Sequence, residues 1–237
     1  MILKIKRFLK KKLVIILKNK KHLKHSVKCK KKWHGNQYGG FYINPDIMNK
    51  DTIVYSFGIG EDISFDLSII EHYGCKVFGF DPTPKSIKWI KDKTLPKEFS
   101  FNSYGIGNNN DEVDFFLPLN EDFVSGSIFN RRELDPKNRL KVQLKNIRTI
   151  AEELKHNHVN VLKMDIEGSE YEVIESLFEV DLNFEQILIE FHDRFFKDGV
   201  RRSKNAISFL NSKGYEIFAI SDNFEEISFI NKSTLNN

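Results

Sequence analysis

The chain has 237 residues, a formal net charge of +4 and 40% hydrophobic side chains, enough for one α/β domain with an appendage and a buried core. Its two cysteines, Cys29 and Cys75, exclude a disulfide framework, and no CxxC or clustered Cys/His spacing suggests structural zinc. Residues 1–34 hold 14 of the 37 Lys and Arg and no acid, so the remainder sets 23 basic against 33 acidic side chains; a basic arm on an acidic body is not the footprint of a nucleic-acid enzyme.

Residues 1–32 read as a basic amphipathic segment. Ile2, Ile5, Leu9, Leu13, Ile16 and Leu17 recur at spacings of three and four, with lysines between them. The longest apolar run, Leu13 to Leu17, is far short of the ~20 residues that span a bilayer, and no small-residue cleavage site follows it. Such a helix either lies on an anionic membrane surface or is a lysine-rich lead-in, packed on the domain or solvated. The cysteine usage fits a reducing compartment, so the expected location is the cytoplasm, peripheral at the inner membrane surface if the segment binds lipid. Residues 33–50 form an aromatic, glycine-rich lead-in, read as a loop or short hairpin over Trp33 to Asn44. Trp33, His34, Tyr38 and Tyr42 there either line an acceptor site or seal the core.

The domain proper is expected over 51–231. An apolar strand, Ile53 to Phe57, ends in a turn with Gly58 and Gly60. A helix follows to Gly74, with Ile63, Phe65, Leu67, Ile69 and Ile70 supplying its apolar faces. A second strand, Val77 to Phe80, stops at Asp81, 21 residues after Gly60. This is the logic of a nucleoside-binding crossover: glycines let the backbone approach a ligand, and an acid at the tip of the second strand accepts hydrogen bonds from ribose hydroxyls. The third glycine of a dinucleotide fingerprint would fall at Ile63, so a ligand with ribose but no pyrophosphate fits better, and S-adenosylmethionine is the common one. The alternative is a structural βα turn beside an exposed acid.

Thr83 and Pro84 start a helix to about Lys91, as N-cap and first helical residue. Phe99 to Gly105 reads as the third strand, with Gly105-Ile106-Gly107 able to reach an adenine. Val113 to Leu117 is a short strand, and residues 118–140 are an irregular insertion over the site. Val142 to Ile147 is a candidate extra strand, and Thr149 to Lys155 a short helix.

A buried strand, Val159 to Met164, then runs into Asp165, Glu167 and Glu170. Period-two alternation puts Lys163 and Asp165 on one side of it. In open α/β sheets ligands sit at the carboxyl ends of strands, which makes these acids site candidates. Glu170 is read as a helix-dipole partner, a reading also open for Glu167. At the end of the next strand, Ile187 to Ile189, Glu190 and His192 point to the same side. His192 is a candidate general base. The set Asp165, Glu190 and His192 can instead hold a divalent metal, and His192 can also be a satisfied structural histidine. Val200 to Ser212 is helical, Tyr215 to Ile220 and Glu226 to Ile230 close the sheet as a hairpin, and 232–237 is a polar, frayed tail.

Four runs resemble the FkbM family of S-adenosylmethionine-dependent methyltransferases: Tyr-Ser-Phe-Gly-Ile-Gly-Glu-Asp-Ile-Ser-Phe-Asp (55–66), Phe-Asp-Pro-Thr-Pro (80–84), Leu-Lys-Met-Asp-Ile-Glu-Gly-Ser-Glu (162–170) and Ile-Glu-Phe-His (189–192). The resemblance covers about 50–230 and implies a class I methyltransferase: a doubly wound, Rossmann-like sheet, mostly parallel with a C-terminal antiparallel strand. It implies methylation of a hydroxyl oxygen, often on a sugar or other small metabolite. Cofactor contacts are then expected at Phe57, Gly58, Ile59, Gly60 and Asp62, at Asp81, Pro82 and Thr83, and at Gly105 and Ile106. His192 is the expected base, oriented by Glu190 and flanked by Asp165. Glu167, Lys163, Trp33 and Tyr38 are candidate acceptor contacts. The chain departs from class I at Ser56, where an acid is usual, and at Asp62, where a third glycine is usual. Asp62, Asp66 and Asp165 are candidates for holding the methionine ammonium. The competing readings are a nucleotide-dependent oxidoreductase or epimerase and a binding module without chemistry. Nucleic acid is not an expected partner.

Overall fold

The computed structural model describes residues 20, 22–119, 126–129 and 134–236. The amphipathic reading of 1–32 therefore lies mostly outside the described residues. What is described of it packs on the body. Lys20 Nζ sits 2.7 Å from Asp193 Oδ2, with both side chains nearly buried. Leu23 joins the core, and the backbone of Ser26 and Val27 donates to the carbonyl of Ile217.

The elements in chain order are the strands β1 (Lys32–His34), β2 (Phe41–Ile43) and β3 (Ile53–Phe57), helix α1 (Ser64–Tyr73), β4 (Lys76–Phe80), α2 (Pro84–Lys91), β5 (Phe99–Asn102), β6 (Gly105–Ile106), β7 (Glu112–Pro118), β8 (Leu134–Lys145), α3 (Ile147–Leu154), β9 (Val161–Met164), α4 (Glu170–Ser176), β10 (Gln186–Glu190), α5 (Gly199–Ser212), β11 (Tyr215–Ile220) and β12 (Glu226–Asn231). Seven strands form the central sheet in the order β11-β12-β10-β9-β3-β4-β5. From β5 to β10 the neighbours are parallel, and β12 is antiparallel to both β10 and β11. This is the expected doubly wound sheet with its late antiparallel strand.

The local reasons are legible in the residues. Every residue of β3 is buried, as a central parallel strand covered on both faces must be. Its alternation divides the core: Tyr55 and Phe57 pack on one face with Phe80, Leu162 and Ile187, and Val54 packs on the other with Phe65, Ile69 and Val77. Helix α1 ends where Gly74, at φ 66°, donates its N–H back to Ile70, an αL cap that glycine adopts without steric cost. Thr83 caps α2 by accepting from the Ser86 N–H, with Pro84 following as expected. Cys75 is fully buried, and burial pushes its thiol up to about 12.

Three expectations are corrected. The third strand stops at Asn102; Gly105–Ile106 leaves the main sheet and pairs with β8 in a separate three-stranded sheet, β6-β8-β7. The extra strand begins at Leu134 rather than Val142, so the end of the irregular insertion is a long ribbon antiparallel to β7; the middle of that insertion lies outside the described residues. The tail from Lys232 to Asn236 is a 3-10 turn whose Leu235 packs against Phe218 and Ile230. The lead-in is a hairpin, β1 with β2, fixed to the sheet where Ser228 Oγ donates to the carbonyl of Tyr42 (2.9 Å) and the Asn44 N–H to Gln186 Oε1 (2.7 Å). Among the described residues, no helix is long and apolar enough to cross a membrane.

Candidate active site

The chain order reverses between β3 and β9, and a cleft of ≈ 520 Å³ opens at the carboxyl ends of the strands around that point, where open α/β sheets bind ligands. Its first half is built on the β3–α1 turn. Gly58 has φ +74°, and a Cβ there would overlap the carbonyl oxygen of Asp165, so only glycine lets β3 and β9 run this close at their tips. The turn is closed by the Gly58 N–H donating to the carbonyl of Phe80 at 2.9 Å. Lys163 supports it from beneath: the ammonium, nearly buried, donates to the Gly58 carbonyl at 3.1 Å and lies 3.9 Å from Asp165 Oδ2.

Asp81 is held as a preformed acceptor. Its Oδ2 accepts the Gly60 N–H at 2.9 Å, and its Oδ1 accepts the Thr83 N–H at 2.9 Å and the Thr83 hydroxyl at 2.6 Å. Ser86 Oγ donates in turn to the Gly60 carbonyl. Burial pushes the Asp81 carboxyl up, against these donors and Lys163. Each carboxylate oxygen has more than one acceptor direction, so fixing Asp81 from below leaves capacity toward the cleft.

The other half is a nest of acids around one imidazole. Asp165 follows β9 directly, and Glu190 ends β10. His192, 1% exposed, stacks on Phe195 at 4.9 Å between ring centres. Its Nδ1 is 2.7 Å from Glu170 Oε1, which also accepts the N–H groups of Ile166 (3.1 Å) and Gly168 (3.2 Å). An oxygen that already receives two backbone N–H groups is an acceptor, so Nδ1 is the donor of that pair. Nε2 faces Glu190 Oε1 at 3.4 Å, Glu167 Oε2 at 3.5 Å and Asp165 Oδ1 at 3.7 Å. Burial pulls the imidazole pKa down, but Glu170, Glu167 and Glu190 outweigh it and hold the ring up at about 10. Burial, then Asp165, push Glu190 up to about 9. Glu167 has φ +53°, a left-handed conformation that costs a side-chain-bearing residue ~1–2 kcal/mol; such strain concentrates at functional sites.

All of the expected cofactor contacts line the cleft: Phe57, Gly58, Ile59, Gly60 and Asp62 along the turn, Asp81, Pro82 and Thr83 at the second strand, and Gly105 and Ile106 opposite. Asp165, Glu190, Glu167 and Tyr38 line it as well. Three expected residues do not. Lys163 is used beneath the turn, and Trp33 packs on Tyr42 at 5.0 Å with its Nε1–H on the Asn36 carbonyl. His192 lies behind the acids. Of the candidates for the ammonium, Asp66 is buried away from the cleft, while Asp62 lines it, already accepting from Asn36 Nδ2 at 2.6 Å. Glu170 was missed as a site residue. It is fully buried and orients His192, the part expected of Glu190.

The sheet order, the glycine turn and the pinned acid at the tip of β4 define a class I methyltransferase. The profile of the Methyltransferase FkbM domain matches residues 46–217, and the chain belongs to that family. Its cofactor is S-adenosyl-L-methionine, and the residues present fit it: a pinned carboxyl at Asp81 lining the cleft and a turn with no side chain at Gly58 and Gly60. The human "Probable methyltransferase-like protein 24" is 27% identical over 155 residues, which is 64% of this chain and 36% of that protein's length. Two solved structures are remote likenesses. Fibrillarin of Aeropyrum pernix with natively bound S-adenosyl-L-methionine has a TM-score of 0.41 at 13% identity, over 79% of this chain and 68% of that one. TYW2 of P. horikoshii with MeSAdo has 0.34 at 10%, over 84% and 69%.

Proposed function

We propose that the chain methylates a hydroxyl oxygen of an uncharged, hydroxyl-rich acceptor, a glycan or other small metabolite. The observation that carries this reading is the acid lining of the acceptor half, Asp165, Glu167, Glu190, Glu225 and Glu226, against a single arginine among the described residues. Arg194 is itself engaged, 3.5 Å from Glu190 and 3.4 Å from Glu225. Carboxylates accept hydrogen bonds from hydroxyls and repel phosphate or carboxylate acceptors. The same lining disfavours nucleic acid.

When bound, S-adenosylmethionine supplies a methyl group on a positively charged sulfur, already activated for transfer. The protein's part is to bind, align and take a proton. Asp81 receives the ribose hydroxyls, and Gly58 and Gly60 give the backbone room for close approach. The acids at the tips of β9 and β10 orient the acceptor hydroxyl toward the methyl. Alignment of the two reactants supplies most of the rate, and proton removal adds ~10²–10⁴-fold. The proton goes to a carboxylate that faces the cleft rather than to His192, which has no path to an acceptor. His192 is a positioning residue: locked by Glu170, it keeps Glu190 and Asp165 converged.

The test is transfer of labelled methyl from S-adenosylmethionine to a panel of neutral and phosphorylated saccharides, with the modified atom located by mass spectrometry. Label on a hydroxyl of neutral sugars supports the reading. Label on nitrogen, or a preference for phosphorylated acceptors, overturns it. The basic residues of 1–32 support a second element of the proposal, that the acceptor is met at an anionic membrane surface.

A further inference from the structure

We propose that Asp165, Glu190 and His192 form a binding site for a divalent cation, of the manganese or magnesium kind, at the acceptor end of the cleft. This rests on the hydroxyl-methylation reading and gives it a means of activating the acceptor. One oxygen from each acid and one imidazole nitrogen lie within 4.8 Å of one another. Six-coordinate cations of this kind, with bonds of about 2.1–2.2 Å, hold adjacent ligands about 3 Å apart and opposite ones about 4.3 Å apart. The separations from Nε2, 3.4 Å to Glu190 and 3.7 Å to Asp165, exceed the adjacent spacing, so the three atoms draw together by under about 1 Å around a bound ion.

The imidazole is set up as a ligand. Glu170 accepts the Nδ1–H hydrogen bond, which leaves Nε2 aimed at the acids, where a cation takes the place of the Nε2 proton; such a partner fixes tautomer and orientation in metal-binding histidines. An imidazolium alone does not account for the nest. It offers one proton at Nε2, whereas three carboxylates surround that atom at 3.4–3.7 Å, all beyond the ~2.7–2.9 Å of a charge-assisted hydrogen bond. A cation between Asp165, Glu190 and Nε2 would bond to each of those ligands directly.

A second observation is independent of those ligands. Glu226 lies opposite Glu190 in the β10–β12 register and lines the same cleft. It is 3% exposed, and among the described residues its Oε2 has no hydrogen-bond partner. A buried carboxylate oxygen without a donor is costly. Water held by a cation at this end of the cleft is a donor that such an oxygen can use.

Asp165 and Glu190 line the cleft, so the set is open to an acceptor hydroxyl on that side. The cation withdraws charge from the hydroxyl to be methylated. Its O–H proton passes to Glu167, which lines the cleft and is outside the ligand set. The oxygen bonds to the methyl carbon as the carbon–sulfur bond breaks, giving a methyl ether, S-adenosylhomocysteine and a proton released to water.

The experiment is calorimetric titration of the full chain, stripped with EDTA, with manganese chloride and magnesium chloride. Manganese binding is followed in parallel by electron paramagnetic resonance, and S-adenosylhomocysteine binding serves as the check that each variant is folded. One manganese per chain is expected. Asp165→Asn and Glu190→Gln should abolish it, and Glu170→Gln, acting through His192, should weaken it on the order of 10–100-fold, all with cofactor binding retained. Stripped protein that binds S-adenosylhomocysteine but neither cation overturns the proposal, as does undiminished manganese binding in Asp165→Asn and Glu190→Gln. If EDTA-treated protein methylates neutral sugars at full rate, the cation falls and the hydroxyl reading stands. If manganese binds these residues but no hydroxyl is ever methylated, the site stands and the reading falls.

Discussion

Glu170 shows how one buried side chain sets the chemistry of its neighbours. It has no exposed surface, yet its Oε1 receives two backbone N–H groups and the His192 imidazole. Removing one member of such a pair leaves the other charge buried without compensation, at ~3–5 kcal/mol. Glu170→Ala should therefore lower unfolding free energy in urea by about that amount, and Glu170→Gln by less, since the amide keeps the size and one acceptor. Equal stability in both variants and the parent would refute the assignment. The residue was not legible as a site member, because an acid in the first turn of a helix already has a sufficient local explanation, and its real partner is 22 residues away. Asp81 was legible because an acid ending an apolar strand 21 residues after a glycine turn sits where a nucleoside-binding crossover places its ribose ligand. Asp165, Glu167 and Glu190 were legible as strand-end acids, but their convergence on one nitrogen is set by packing. Trp33 and Lys163 misled because an aromatic ring and a strand-end cation serve a hairpin and a turn as well as they serve a ligand.

At the scale of elements, two joints carry the cleft. The β3–α1 turn depends on Gly58, whose missing side chain lets Asp165 approach. Gly58→Ala should cost more than the 0.5–1 kcal/mol typical of a simple glycine exchange, lower the Tm clearly, and abolish S-adenosylhomocysteine binding before it abolishes folding. Retained binding in folded Gly58→Ala would show that the turn does not need its close approach. The second joint is the β1–β2 hairpin against α1, where His34 bridges Ser68 Oγ and Tyr73 Oη at 2.9 Å each. Burial first, then His72 and Lys32, pull its pKa from 6.5 down to about 4. The unfolded chain therefore binds a proton over pH 6.5 to 4 that the native chain refuses, so stability must fall as pH drops through that window. His34→Gln should flatten this part of the stability curve; an identical acid profile in the variant would clear His34 of the effect. Elements with one clean period were read correctly, β3, α1, β4 and α2 among them. The start of β8 was not, because residues 136–139 are exposed on both faces of the ribbon and give no hydrophobic alternation to detect.

The whole molecule is electrically two-ended, a lysine-rich N-terminal segment on a body with an acid-lined cleft. Residues 1–19 contain seven Lys and Arg and no acid, each worth ~1 kcal/mol beside an anionic lipid surface. Deleting 1–19, which keeps Lys20 on Asp193, should abolish sedimentation with phosphatidylserine vesicles while leaving cofactor binding intact. Unchanged sedimentation would remove the membrane element of the proposal. The architecture itself was legible from the chain order of strands and helices, because parallel strands require crossovers and their handedness leaves few topologies. The small sheet that walls the cleft was not, since it pairs Gly105–Ile106 with residues 39 positions further on, at Leu144 and Lys145.

The central claim is that one cleft has two separable halves, a cofactor half on Asp81 and an acid half at the tips of β9 and β10. The most direct test is calorimetric titration with S-adenosylhomocysteine of the parent chain, Asp81→Ala and Glu190→Gln, paired with a methyl-transfer assay on the same preparations. The account predicts that Asp81→Ala loses cofactor binding, whereas Glu190→Gln binds like the parent and transfers at least ~10²-fold more slowly. Parent-like binding in Asp81→Ala, or full transfer by Glu190→Gln, would contradict it.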